Sequence, residues 1–259
     1  MPPNPNLQAQ LLTSLLTTTP NLPTPSSTFL ATILNPYTSR PPPPLAVLTA
    51  TARTRLLSSD LTSPTLLDPT YISTHILPPS STDPNIRSAV LDRDVCLQVL
   101  DIENLSKSRW SQVEDLEALE RGEGTRGREI IRLRDEEDEN GNGERGVTQL
   151  PSQTQTQGGA ARATISGGGE KATHKLVLQD AKGQKIYGLE LRKVDKIAIG
   201  KLNIGEKMVV KKGASVSRGV IMLEPEKCVV LGGKVEAWHK AWVEGRLARL
   251  KEAVQGVGQ

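Results

Sequence analysis

The last third of the chain alternates short apolar runs with glycine-bearing turns, and this pattern limits the possible fold more than any other feature. Two of the turns are residues 181–184 and 203–206, and each contains a glycine. Regular short strands joined by such turns predict a small β-barrel. The apolar runs that we predict as strands are residues 174–180, 186–194, 208–212, 219–223 and 227–231.

A further strand is predicted upstream, over residues 94–102. It is apolar on both faces for most of its length, as expected of a strand at the centre of a sheet. Downstream of Gly232 and Gly233, apolar residues at helical spacing predict an amphipathic helix over about residues 234–255. Taken together as about five strands, these runs and the helix match the content of an OB-fold, in which residues 103–172 become a long insertion between the first two strands.

Apolar residues also recur at helical spacing in three proline-separated stretches of the first 61 residues. Each predicted helix has about 10 residues and is marginal alone, so we expect the three to pack together. Residues 62–93 are rich in Pro, Ser and Thr and are predicted to form a partly ordered connector. The predicted fold class is mainly β with α: a small N-terminal three-helix bundle over residues 1–61, followed by an OB-fold over residues 94–259.

The predicted insertion has two parts of different composition. In residues 103–119, Ser111 and Glu114 fit a capping box, and apolar side chains then recur every three residues, which predicts a helix. Residues 120–172 hold few large aliphatic side chains and are predicted to be disordered. The helical stripe either packs on its own domain or docks onto a partner, and the sequence leaves both readings open. It consists of Trp110, Val113, Leu116 and Leu119.

Positive charge is concentrated towards the C-terminus. Residues 173–259 contain 17 basic and 9 acidic side chains, a net charge of +8, against +3 for the whole chain. This favours an acidic partner, either nucleic acid or an acidic protein surface, although a solvated lysine-rich sheet has the same composition. Because the strands of the barrel contain one aromatic residue, Tyr187, we expect DNA contact to be weak and auxiliary to protein binding. The candidate phosphate contacts are Lys193, Lys196, Lys201, Lys211 and Lys212.

The sequence offers little support for catalysis. No glycine-rich phosphate loop of the GxxxxGK[ST] kind occurs, and the three histidines, His75, His174 and His239, lie apart from one another. Only two cysteines are present, Cys96 and Cys228, which is too few for a close-spaced zinc site. We therefore predict a protein that is not an enzyme and has no cofactor and no metal.

Targeting and membrane signals are also missing from the sequence pattern. No run approaches the roughly 18–20 apolar residues of a membrane span, so no membrane association is predicted. The first basic residue is Arg40, which argues against a secretory or mitochondrial leader. The expectation is a soluble intracellular protein.

Several of these segments resemble the RecQ-mediated genome instability protein 1 family, in the order and spacing of its N-terminal OB-fold. The resemblance covers residues 173–243, extends to 94–119, and is weak over 1–93. The chain looks like the shorter, fungal-type members. The matching segments are residues 97–102, 110–113, 176–180, 186–190, 202–207, 217–223 and 229–236.

The resemblance implies a scaffold that joins topoisomerase III, a type IA topoisomerase, to a RecQ-family helicase. It implies a nuclear location and a role in double Holliday junction dissolution and decatenation, with the inserted loop tuning the opening of the topoisomerase gate. The residues of this chain that would contact the topoisomerase from the loop are Arg109, Trp110, Val113 and Leu116.

Two questions remain open at this point, and a third hypothesis is disfavoured. Arg218 either supports the barrel or belongs to the topoisomerase-facing surface. The chain as a whole is either this scaffold or an autonomous single-stranded-DNA-binding OB protein. A topoisomerase adaptor of the Tudor-domain-containing type is disfavoured, since no aromatic-rich module of that kind is present.

Overall fold

The computed structural model describes residues 5–37, 41–122 and 172–256. In its N-terminal part, residue chemistry sets the helix boundaries. Ser26 caps α2, its hydroxyl accepting from the Phe29 amide at 3.0 Å, and Asp68 caps α4, which has Pro69 at its first position. The helices of this part are α1 (Pro5–Thr18), α2 (Ser27–Leu34), α3 (Leu45–Ser58) and α4 (Pro69–His75).

The first three helices form the predicted bundle around an aliphatic core. Leu11 and Leu15 of α1 are fully buried, because helical spacing places them on one face. The same core receives Leu30 and Ile33 from α2 and Leu56 from α3. The bundle predicted from the sequence is confirmed.

The segment predicted as a partly ordered connector is anchored at several points by buried leucines. Leu66 and Leu67 are buried in the helical core, and the Ser26 amide donates to the Leu66 carbonyl at 2.9 Å. Leu77 and Leu91 are buried in the core of the barrel. Residues 62–93 therefore contribute apolar side chains to both cores. Their high content of Pro, Ser and Thr did not indicate this packing.

The second part is an eight-stranded curled sheet. Its strand order is β1-β6-β7-β4-β3-β2-β5-β8, and every neighbouring pair is antiparallel except β4 and β7. The OB-fold is thereby confirmed. The strands are β1 (Ala89–Val90), β2 (Val95–Asn104), β3 (His174–Asp180), β4 (Lys185–Glu190), β5 (Lys207–Val210), β6 (Ser215–Ser217), β7 (Val220–Leu223) and β8 (Cys228–Gly232).

The structure has eight strands where the sequence indicated six runs, because β1 and β6 were not predicted. Only residues 211–214 separate β5 from β6, and only residues 224–227 separate β7 from β8. Each pair is therefore one bent run of chain. Strands β5 and β8 lie at one end of the strand order, whereas β6 and β7 lie near the other end. The two bent runs therefore connect both ends, and the sheet curls back on itself. The strand predicted over residues 186–194 is shorter and ends at Glu190.

The central strand β2 separates the two cores, as its two apolar faces predict. Leu97 and Val99 point into the barrel, whereas Cys96 belongs to the core of the helical bundle. The pairing with β3 shifts register between Val99 and Asp101, which is a β-bulge. The bulge changes the alternation, so that Ile102 also enters the barrel.

Three more helices complete the described chain: α5 (Arg109–Glu120), α6 (Glu236–Glu244) and α7 (Arg246–Gln255). The predicted C-terminal helix is thus two segments, which meet at Gly245. The cap of α5 is Ser108, whose hydroxyl accepts from the Ser111 amide at 3.1 Å, rather than the predicted Ser111. The predicted disordered stretch lies almost entirely in residues 123–171, outside the described residues.

A polar contact joins the bundle to the outer face of β2. The Gln98 side chain is fully buried; its oxygen accepts from the Leu61 amide at 2.9 Å, and its nitrogen donates to Asp60 at 2.8 Å. Nearby, the backbone of Gly233 approaches Leu57 so closely that a Cβ would lie 2.3 Å from the Leu57 carbonyl oxygen. Gly233 is therefore required by the interface as well as by its φ of +93°.

Lys207 on β5 is fully buried beneath this contact. Its ammonium donates to the Gly205 carbonyl oxygen. Burial lowers the pKa of Lys207 to about 8, although Cys96, Asp60 and Glu206 act in the opposite direction. A charged ammonium is thus held at a site that disfavours it.

We predict that Gly233→Ala lowers the free energy of unfolding by about 2 kcal/mol more than Gly232→Ala. Gly232 is a matched control, because its φ is +95° and a Cβ there would meet nothing within 4 Å. Urea denaturation of both variants measures the difference. An equal loss of unfolding free energy in both variants would show that the close contact with Leu57 does not limit the size of residue 233.

We predict that Lys207→Met raises the free energy of unfolding by about 1–2 kcal/mol at about pH 7. The pKa of Lys207 is about 8 in the folded chain and 10.5 in the unfolded chain. Between these two pH values the unfolded chain binds more protons than the folded chain, so the free energy of unfolding rises with pH. The variant should lose this rise. Urea titrations across the window measure it, with exposed Lys182→Met as control; an unchanged pH slope in Lys207→Met would contradict the account.

Candidate partner-binding surface

The insertion leaves the barrel between β2 and β3 through a tightly bonded base. The Leu105 amide donates to the Thr173 carbonyl, and the Thr173 amide donates to the Ser106 hydroxyl, both at 2.9 Å. The Gln112 amide group of α5 donates to the Asn104 carbonyl at 3.0 Å. The two ends of the insertion are thereby held side by side, and α5 is attached to one of them.

A buried pair supports the returning end. His174 Nδ1 lies 2.6 Å from Glu190 Oε2, and both side chains are almost completely buried. Burial raises the pKa of Glu190, but the hydrogen bonds from His174 and from the Val194 amide outweigh it, so this pKa lies below its ordinary value. His174 therefore has a structural partner at the start of β3.

Helix α5 turns one side towards α7. Val113 is 3% exposed, the Lys251 ammonium lies 2.7 Å from the Glu117 carboxylate, and Arg246 donates to Gln112 at 3.5 Å. Leu116 is half-buried. Of the two readings of the helical stripe, packing within the domain therefore holds for Val113.

The N-terminal end of α5 is open to solvent, although Trp110 shares a helix face with Val113 and lines a cavity against α7. Trp110 is 59% exposed, and its indole nitrogen donates to Glu114 at 2.8 Å, which orients the ring along the helix. Arg109 is exposed and donates to Glu103 at 3.1 Å. Burial raises the pKa of Glu103, but Lys175 and Arg109 outweigh it and hold the pKa below its ordinary value. Trp110 and Arg109 are thus presented together on an anchored helix.

The predicted phosphate contacts are distributed over the surface, and three of them have protein partners. Lys193 donates to the Ile197 carbonyl at 3.0 Å, and Lys196 donates to the Val230 carbonyl at 3.1 Å. Lys211 donates to Asn21 and forms an ion pair with Asp94. These contacts hold the three ammonium groups against the protein surface. Lys201 and Lys212 are exposed.

Arg218 has a structural role in its backbone. It is exposed and occupies a φ of +48° in the two-residue turn between β6 and β7, followed by Gly219 at +77°. Its amide donates to the Ile86 carbonyl at 3.1 Å, which ties the turn to the segment before β1. The Arg218 side chain remains a candidate for partner contact.

Sequence reasoning missed a cleft beside α6. It assigned Trp238 and Trp242 to the core because they are four residues apart on an apolar stripe. Both do pack against the barrel, but they are only half-buried. They line a cleft of about 480 Å³ together with Asp60, Gln179, Lys185 and Arg249. The feature of the sequence that could have indicated this cleft is the presence of basic residues close to the two tryptophans.

Two further observations bear on chemistry. Across the described ranges, no group of three or more His, Cys, Asp or Glu side chains is arranged to hold a metal ion. None of the helices in the described part of the chain is both long and apolar enough to cross a membrane.

The chain matches two family models. Residues 74–246 match the model described as RMI1, N-terminal OB-fold domain, and residues 15–64 match RMI1, N-terminal helical domain. These spans contain the curled sheet and most of the helical bundle.

Two curated relatives are similar. The RecQ-mediated genome instability protein 1 of Schizosaccharomyces pombe is 31% identical over 159 residues, which are 61% of this chain and 63% of that protein. The protein of the same name from Saccharomyces cerevisiae is 24% identical over 188 residues, covering 64% and 73%. The match thus spans slightly less than two thirds of the S. pombe protein. Since one family model covers more than half of the chain, the chain belongs to the RecQ-mediated genome instability protein 1 family.

Proposed function

We propose that this chain is a non-catalytic scaffold that joins a RecQ-family helicase to topoisomerase III, a type IA topoisomerase. In this role it promotes double Holliday junction dissolution and decatenation in the nucleus. Membership of a family named for RecQ-mediated genome instability supports the helicase link. The insertion would reach the topoisomerase and tune the opening of its gate.

One observation carries the topoisomerase part of the proposal: the base of the insertion presents an exposed tryptophan on a helix that α7 holds in place. Trp110 is mostly solvent-exposed, and together with Val113 and Glu117 it lines a cavity against α7, to which the Lys251 ion pair ties Glu117. A large aromatic side chain held in place loses little conformational entropy on binding, which is the property of an interface anchor. Arg109 beside it adds a planar donor for a partner carboxylate.

The alternative is an autonomous protein that binds single-stranded DNA. The two functions predict different behaviour. A scaffold forms a stoichiometric complex with the topoisomerase, and contacts DNA in a salt-sensitive manner. An autonomous DNA-binding protein holds single strands tightly without a partner, with aromatic stacking making the binding less dependent on salt.

We predict that the chain co-elutes with topoisomerase III from the same source in size-exclusion chromatography at about physiological salt. Trp110→Ala should weaken the complex by about 2 kcal/mol, close to a thirtyfold rise in Kd, because a central anchor is truncated. Its fold should persist, since the side chain is mostly exposed.

Val90→Ala is the control, because Val90 is an exposed apolar residue on β1, 63% exposed, outside the insertion. It should leave the complex unchanged. If Trp110→Ala co-elutes as strongly as the unchanged chain, α5 is not part of the interface. If the chain is folded but forms no complex, the DNA-binding alternative is favoured.

A further inference from the structure

A separate cavity lies between the end of β2 and the helices α5 and α7, and arginines dominate its lining. Its volume is about 190 Å³. A single water needs only roughly 10–15 Å³, so the cavity has room for a polyatomic ligand. The arginines are Arg109 of α5 and Arg246 and Arg249 of α7, and β2 contributes Asp101 and Glu103.

Arg246 is buried without a full set of hydrogen-bond partners. Its side chain belongs to a residue that is 8% exposed, and its Nη2 donates to Gln112 at the long distance of 3.5 Å. Its Nη1 is buried and has no hydrogen-bond partner among the residues that the structure describes. A buried cation with an unused donor is costly unless an anion completes its bonding. The cavity that Arg246 lines is where such an anion would bind.

Arg249 brings a second guanidinium close to the first. The guanidinium carbons of Arg246 and Arg249 lie 5.4 and 5.8 Å from the centroid of the same Trp242 ring. Burial lowers the pKa of Arg246 and the neighbouring Arg249 lowers it further, although Asp101 and Asp115 act in the opposite direction. Two like charges that are held close repel each other, so an anion bound between them is stabilised by both.

The two carboxylates at the cavity already have partners. Asp101 accepts a hydrogen bond from the Trp242 indole at 2.6 Å. Glu103 is shared by two cations, since it accepts from Arg109 at 3.1 Å and lies 2.6 Å from the Lys175 ammonium. Because these contacts offset much of the negative charge, the field in the cavity favours an anion, and a dianion more than a monoanion.

We propose that this cavity binds the phosphate of a phosphorylated serine or threonine on a partner protein. A phosphate monoester carries a charge of about −1.5 to −2 at about pH 7 and has three acceptor oxygens. The planar guanidinium groups of Arg246 and Arg249 suit paired hydrogen bonds to such a group. Leu250 and Ala253 line the cavity beside them. These apolar side chains match the carbon atoms of a phosphorylated side chain, which a free phosphate ion lacks.

A phosphodiester of nucleic acid fits this cavity less well than a phosphorylated side chain. It carries one negative charge per linkage and is continued by sugars on both sides. The cavity is lined from β2, α5, α6 and α7, so it suits the end of a side chain rather than a continuous strand. The cavity also adjoins the proposed partner surface, because Arg109 lies in it and is next to Trp110 on α5. Its chemistry does not depend on the scaffold role.

The test is an anisotropy titration of the full chain with a short fluorescein-labelled phosphothreonine peptide and with its unphosphorylated copy. The unphosphorylated copy should bind at least about tenfold more weakly, because it lacks the charge-assisted hydrogen bonds. Arg249→Gln should weaken phosphopeptide binding about tenfold, and so should Arg246→Lys, since lysine keeps the charge but cannot form the paired hydrogen bonds. The matched control, Arg53→Gln, makes the glutamine change at an exposed arginine on α3 and should alter affinity less than about twofold.

A second measurement uses inorganic phosphate alone and reports on Arg246. At equal ionic strength, sodium phosphate in place of sodium chloride should raise the melting temperature of the unchanged chain more than that of Arg246→Lys, because an ion that binds only the folded chain stabilises it. The general effect of phosphate on protein stability is common to both chains and cancels in this comparison. Arg249 is exposed, so Arg249→Gln should remain folded even if Arg246→Lys does not.

Three results would each overturn the proposal. They are equal affinity for the two peptides, equal losses in Arg249→Gln and Arg53→Gln, and displacement of the phosphopeptide by an unlabelled oligothymidine at the same phosphate concentration. A rise in melting temperature with phosphate but no preference for the phosphopeptide would show a site for the free ion and would also overturn it. Co-elution with topoisomerase III is measured separately, so failure of this site and failure of the scaffold function are distinguishable.

Discussion

Strand β2 is the element on which both halves of this protein depend, because it has a hydrophobic core on each side. Leu97 and Val99 fill the barrel, whereas Cys96 packs into the helical bundle. Between them, the Gln98 side chain accepts a hydrogen bond from the Leu61 amide, so this polar residue is also part of the interface. A buried strand with two apolar faces cannot lose either neighbour without exposing apolar surface. The bundle and the barrel are therefore expected to be interdependent in stability.

The same strand sets where the insertion begins. It ends at Asn104, α5 follows after a short turn, and α7 packs behind α5 through the Lys251–Glu117 ion pair and the burial of Val113. The family match ends at residue 246, so α7 lies almost wholly beyond the matched domains. Helix α7 fixes α5 in this chain, and Trp110 remains 59% exposed.

Periodicity predicted the elements whose signals are local. The alternation in β3, the two apolar faces of β2 and the spacing of Leu11 and Leu15 each reflect the face on which a side chain lies. Features that depend on distant contacts could not be read in this way. The bulge after Val99 changes the alternation only where β3 pairs with it, and Trp238 lines a cleft only because α6 folds over the sheet. Charge alone likewise did not show which lysines have protein partners.

The most direct measurement of the central claim is hydrogen exchange of the chain, alone and saturated with topoisomerase III. If α5 is the anchored docking element, amides of residues 109–120 should gain protection in the complex, while the outer face of β3 and β4 remains unchanged. Protection that falls on β3 and β4, with none on α5, would contradict the account.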